Sequence, residues 1–216
     1  MKLKGTIILV VLGVALGLVG TAWSAEESAA DRPALIIIDI QEFYFEGGAI
    51  PLEGSVEAAN AANKVLALFR ANGWPVIHVQ HLPKDTDIPG QDVEPSSYRI
   101  RPEVAPATGE GLVGKHHANA FRDTDLLKKL QALNTDKLVI VGMQTHMCLE
   151  AATRAAADLG FEVTVVDQAC ATRDLEYKGE TVPASEIHAS TLASLDGTYA
   201  KVISLDEFLK TTQTEE

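Results

Sequence analysis

Val139-Ile-Val-Gly-Met-Gln-Thr-His-Met-Cys-Leu-Glu-Ala-Ala-Thr-Arg-Ala-Ala-Ala-Asp-Leu159 is the stretch that decides the fold. Its apolar opening reads as a strand that turns sharply at Gly142, and the alanine-rich segment that stops before Gly160 reads as a helix. Cys148 falls near the helix start, where the positive end of the helix dipole and unpaired backbone N–H groups favour thiolate. The thiol is either a reactive group made by that position or a small buried core residue, since free cysteines are usually buried.

Upstream, Ala34-Leu-Ile-Ile-Ile38 is a continuous apolar run between Pro33 and Asp39, as expected of a strand covered on both faces of a parallel sheet. After the loop from Glu46 to Gly54, Val56 to Phe69 carries helical periodicity that Asn72-Gly73 ends, and Pro75 to Val79 is a second strand. Strand, helix and strand in this order make a right-handed crossover unit. Leu82 to Gly111, rich in Pro, Gly and Asp, reads as a long surface excursion of the kind that often lines sites. A short third strand (Leu112 to Lys115), a helix (Thr124 to Leu133) and a fourth strand (Lys137 to Val141) lead into the opening stretch. Beyond it come a fifth strand (Glu162 to Asp167), a helix (Ser185 to Leu195), a sixth strand (Ala200 to Ile203) and a short helix (Asp206 to Lys210). The expected fold is α/β, a three-layer Rossmann-like arrangement with a six-stranded, mostly parallel sheet and helices on both faces.

With 216 residues, 46% hydrophobic and 22% charged, the chain suits one core of ordinary size, so one globular domain is expected over residues 33–216. Residues 1–25 read as a signal peptide: Lys2 and Lys4 precede an apolar run from Thr6 to Val19, and small residues follow in Thr21-Ala-Trp-Ser-Ala25. Because Gly5 to Ala22 nears the roughly 18 apolar residues of a spanning helix, an uncleaved anchor is the alternative. Export to the periplasm or the medium is expected, with only transient membrane contact and a flexible lead-in over residues 26–32. A formal charge of -12 repels nucleic acid and anionic membrane surfaces. Two cysteines make no disulfide framework, and their spacing makes no zinc pattern.

In an open parallel sheet the ligand site lies beyond the carboxyl ends of the strands. Asp39 ends the first strand, Lys115 ends the third, and Cys148 follows the fourth. A carboxylate near the thiol can accept its proton, and an ammonium stabilises the thiolate. Taken singly, Asp39 reads more readily as a helix or turn cap and Lys115 as a solvated surface charge.

Ile38-Asp-Ile-Gln41, the lysine of Val113-Gly-Lys115 and Gly142-Met-Gln-Thr-His-Met-Cys148 together resemble the isochorismatase-like cysteine hydrolases. That superfamily includes nicotinamidases, N-carbamoylsarcosine amidohydrolases, streptothricin hydrolases and ureide hydrolases. The similarity runs from about Ala34 to Leu209; Thr145-His-Met-Cys148 with Cys170-Ala-Thr-Arg-Asp174 is most similar to the streptothricin-hydrolase-like branch. The resemblance implies Cys148 as nucleophile, Asp39 as general base and then acid, and Lys115 as the third catalytic member. It also implies an oxyanion hole from the backbone N–H groups of Gln144 and Cys148, following a cis Met143–Gln144 bond. Two departures matter. His78-Val-Gln-His81 lacks the Asp-x-His of metal-binding nicotinamidases, so no metal and no cofactor is expected; retention of Cys148 argues against the vinyl-ether hydrolysis of true isochorismatases. Substrate-binding candidates are Gln41, Tyr44, His81, His117, Phe121 and His146, with His116 beside them, although lone histidines are more often structural and Tyr44 and Phe121 read equally as core. A Cys148–Cys170 disulfide is conceivable in an oxidising compartment but not expected, because the resemblance requires a free Cys148. The expectation is an exported, metal-independent cysteine hydrolase cleaving the C–N bond of a small amide, lactam or ureide, a homo-oligomer by analogy. The rivals are a non-catalytic ligand-binding or scaffold protein of the same fold and a thiol redox protein, the latter disfavoured by the lack of Cys-x-x-Cys.

Overall fold

The structure, a computed structural model, describes residues 32–83 and 95–213. The expected signal segment at 1–25, the expected lead-in up to Asp31 and the middle of the long excursion, 84–94, lie outside the described residues. In chain order the elements are β1 (Ala34–Ile38), α1 (Ser55–Ala71), β2 (Val76–His81), β3 (Gly111–Lys115), α2 (Leu126–Leu133) and β4 (Lys137–Met143). There follow α3 (Glu150–Asp158), β5 (Glu162–Ala171), β6 (Leu175–Tyr177), β7 (Glu180–Val182), α4 (Ala184–Leu195), β8 (Lys201–Ile203) and α5 (Leu205–Gln213).

Six strands form one sheet in the order β3-β2-β1-β4-β5-β8, and every pairing in it is parallel. β1 is buried along its whole length because both faces are covered. Leu35 and Ile37 pack with α1 and α5, whereas Ile36 and Ile38 pack with α2, α3 and α4. Three layers follow from that alternation. On α1 the buried stripe Ala58, Ala62, Val65, Leu66 and Phe69 has the spacing of one helical face. The chain leaves β1 toward β2 and β3, then returns through β4 to the other side of β1. The carboxyl ends of β1 and β4 therefore flank the point where the strand order reverses, which is where an open sheet has its crevice.

The six-stranded sheet between two helical layers is the one expected, and all its pairings are parallel. Three expectations need correction. β5 continues past Asp167, and a register shift opposite Ile140 to Gly142 lets its far end pair Cys170 with Gly142. The end of the excursion is built into the molecule: Pro95–Tyr98 and Pro102–Val104 are 3-10 turns, Tyr98 and Val104 are buried, and Gln41 bridges to Ile100. Apolar side chains spaced too irregularly for either period still fill the core there. The hairpin β6–β7 was not expected, since its charged alternation carries no apolar face. Elsewhere boundaries move by a residue or a few; α2 starts at Leu126 after the N-cap Asp125, and Thr124 Oγ1 just ahead of it accepts the Leu126 N–H at 3.3 Å.

Candidate active site

Asp39 leaves β1 in the left-handed region at φ 49°, uncommon for a residue with a side chain. Its carboxylate is fully buried and meets Lys115 Nζ at 2.7 Å. Lys115 arrives from the end of β3, also fully buried, and donates to Cys148 Sγ at 3.2 Å and to the His117 carbonyl at 3.1 Å. With Asp39 these partners use its three N–H groups. Among the described residues no backbone N–H bonds the Asp39 carboxylate, and Lys115 is its charge partner. Cys148 sits in a π-helical turn, Thr145–Leu149, that runs into α3, and π turns are frequent at functional sites. The Met143–Gln144 peptide before it is cis, as the resemblance implied.

The helix-start argument for a thiolate fails here. Burial, and next the Asp39 charge, push the Cys148 thiol up to about 12, and the opposing pull of Lys115 does not offset them. The resting sulfur is thus a thiol beside a carboxylate. Burial pulls the Lys115 ammonium down, but Asp39 and Cys148 together hold it above its ordinary value. Burial, with the charges of Cys148 and Asp39, holds the Tyr44 hydroxyl well above 10.0, placing that hydroxyl in the same electrostatic environment. Cys170 is free, as is Cys148.

A family model described as the isochorismatase domain matches residues 33–207, which include all three of these residues. The chain belongs to the isochorismatase family. The isochorismatase family protein YddQ of Bacillus subtilis is 39% identical over 177 residues, covering 82% of this chain and 98% of its own. Maleamate amidohydrolase of Pseudomonas putida is 28% identical over 203 residues, 87% of this chain and 90% of its own. A solved isochorismatase-family structure from Oleispira antarctica matches with a TM-score of 0.76 at 46% identity, over 83% of this chain and 96% of that one.

In this isochorismatase-family hydrolase the substrate-binding candidates divide. Tyr44, His81 and His146 lie around the cluster. Tyr44 accepts a hydrogen bond from Gln144 Nε2 at 3.3 Å; His81 Nδ1 is 3.5 Å from Lys115 Nζ; His146 is in the turn itself, its Nδ1 on Thr172 Oγ1. Gln41 is a scaffold clamp: its amide donates to the carbonyls of His81 and Tyr98 and accepts the His81 N–H at 2.8 Å, so it has little left for a substrate. His117 contributes its carbonyl to Lys115 while its ring pairs with Asp123 at 3.1 Å. Phe121 stacks on Phe161, which lies beyond the far end of α3 from Cys148, and so belongs to the core. His116 is turned to the Leu82 carbonyl.

Other residues at the site were not singled out from the sequence. Arg173 Nε donates to Gln144 Oε1 at 3.2 Å, and the Gln144 amide passes that contact on to Tyr44. The guanidinium's charge is felt at both Tyr44 and His146: burial and then Arg173 lower the His146 pKa. Among the described residues Arg173 has no carboxylate partner. Thr172 and His188 grip the Cys148 turn from behind, and both line a cavity of about 300 Å3 next to it. Cys170-Ala-Thr-Arg-Asp174 marked the resemblance without indicating which of its side chains reach the site. Among the described residues no three His, Cys, Asp or Glu side chains are grouped to hold a metal ion.

Proposed function

We propose that this protein hydrolyses the C–N bond of a small amide or ureide through a thioester on Cys148. The observation that carries the proposal is the buried bridge in which Lys115 Nζ joins Asp39 Oδ2 at 2.7 Å to Cys148 Sγ at 3.2 Å. Burying a cation and a carboxylate costs several kcal/mol per ion before pairing, an expense a purely structural core avoids. A pair that bears directly on a buried thiol at a strand-end crevice has a chemical use.

In the proposed reaction Asp39 takes the Cys148 proton as the sulfur adds to the substrate carbonyl. The oxyanion forms against the backbone N–H groups of Gln144 and Cys148. Asp39 then returns the proton to the leaving nitrogen, the C–N bond breaks, and ammonia or an amine departs. Water gives a proton to Asp39 and adds to the thioester; the C–S bond breaks, the acid product leaves, and the sulfur recovers its proton from Asp39. Lys115 holds the carboxylate and balances charge on sulfur throughout. Arg173, a guanidinium whose recorded partner is a neutral amide, favours a substrate that carries a carboxylate, and the similarity to maleamate amidohydrolase points the same way. Export through residues 1–25, supported by Lys2, Lys4 and the apolar run after them, and assembly as a homo-oligomer belong to the same proposal.

Intact mass spectrometry after mixing with a panel of small amides and ureides tests it. Wild type is expected to show a transient acyl adduct and released acid. Cys148→Ala is expected to lose the adduct and at least about 10³-fold in turnover. Turnover surviving in Cys148→Ala removes the proposal.

A further inference from the structure

Asp39, Lys115 and Cys148 account for the chemistry but not for what holds the turn that carries the sulfur. Two successive residues of that turn are each tied outward by a hydroxyl–imidazole hydrogen bond. Thr145 Oγ1 shares one of 3.0 Å with His188 Nδ1 of α4, and His146 Nδ1 shares one of 2.5 Å with Thr172 Oγ1. Thr145 is fully buried, so removing its partner leaves a buried hydroxyl unsatisfied. It stands between Gln144 and Cys148, the two residues whose N–H groups face the developing oxyanion in the proposed reaction.

α4 does not need His188 to dock. Leu192 and Leu195 hold the helix in the core with Thr191 buried beside them, whereas His188 is only half-buried. The imidazole is spent on the turn, and its ring borders the cavity of about 300 Å3. Resting on the thioester mechanism, we propose that His188 is a positioning residue: through Thr145 Oγ1 it fixes the main chain between Gln144 and Cys148 and so aims the sulfur. It acts through Thr145, not on the reacting atoms.

The full chain is tested as wild type, His188→Ala, His188→Asn, His188→Gln, Thr145→Val and the double variant His188→Ala with Thr145→Val. Two readouts are taken: kcat and KM on the amide turned over best in the panel, and the rate of Cys148 alkylation by iodoacetamide, which needs no substrate. His188→Ala and Thr145→Val are each expected to lower kcat and alkylation about tenfold with KM within about twofold, and the double variant to be no worse than either. Asn, whose amide reaches the Nδ1 position, keeps most of the rate, whereas Gln, which reaches the other ring nitrogen, does not. Added imidazole, entering through the cavity, restores His188→Ala but not the double variant. Multiplying losses, equal rescue of both proteins, or wild-type rates in His188→Ala overturn the proposal. Activity that survives in Cys148→Ala defeats instead the thioester mechanism beneath it.

Discussion

At Cys148 removal from water outweighs the helix start. The thiol is held up at about 12 by burial and by Asp39, with Lys115 alone pulling it down. Iodoacetamide alkylation of the resting protein is therefore expected to keep rising through pH 10, where an ordinary cysteine, ionising near pH 8.5, has levelled off. Lys115→Met removes the lowering influence and should slow the reaction further at every pH. A plateau near pH 9 in peptide-mapped Cys148 would contradict this account. At Arg173 the expected signature is selectivity: Arg173→Gln should raise KM for carboxylate-bearing amides about 10- to 100-fold, the worth of a charge-assisted hydrogen bond, and leave uncharged amides nearly unchanged. Equal changes for both classes would place the guanidinium outside substrate recognition.

Where β1 and β4 meet, the two strands carry their ends into the site at unusually close quarters. Gly142 has φ 130°, and a Cβ built there falls 2.0 Å from the Ile38 carbonyl oxygen. Only glycine lets β4 pass β1 at this point, one residue short of the cis bond and six short of Cys148. Gly142→Ala is expected to destabilise the protein by more than about 2 kcal/mol, through both backbone strain and the clash. Urea unfolding should show a lower midpoint with an unchanged slope. Gly142 was legible as a turn because it breaks an apolar run. Its second duty, letting two backbones approach, depends on Ile38, more than a hundred positions away.

Across the whole molecule, the part of the excursion nearest β3 is latched to α1 and β2 by Glu110. Its carboxylate receives Arg70 at 2.6 Å, the Ala107 N–H at 2.8 Å and His78 Nε2 at 2.8 Å. Burial lowers the pKa of His78, so at neutral pH the ring donates as a neutral imidazole. The Arg70 hydrogen bond first, then the Ala107 and His78 bonds, hold Glu110 at about 2 against the opposing effect of burial. A carboxyl depressed in the folded state adds stability above its unfolded pKa and loses it as pH falls through the folded one. The contribution, on the order of 1 kcal/mol once solvent screening of the exposed Arg70 is allowed for, is thus present above about pH 4.5 and lost toward pH 2. His78, easier to protonate when unfolded, acts in the same direction below about pH 6.5. Glu110→Gln should flatten the acid side of the stability–pH curve between pH 4.5 and 2; an unaltered slope there would show that the latch carries no linkage.

The strands were readable from the chain because their signals are local, and the three residues of the bridge were singled out by their places at strand ends, although each alone stayed ambiguous until the resemblance joined them. An unbroken apolar run such as Ala34 to Ile38 has few places to go but the middle of a sheet; Asp39 and Lys115 are the charged residues at which such runs stop, and Cys148 lies in the turn just beyond the end of β4. Local signal did not reveal what Gln41, Arg173, Tyr98 and His188 do. Gln41 bonds residues 40 and 57 positions away, Arg173 one 29 away, and His188 one 43 away. Such partners are chosen by packing, which no periodicity records. The protonation of Cys148 belongs with them: residue type made it a potential nucleophile, but the exclusion of water by the assembled layers decided that its proton stays on sulfur beside Asp39.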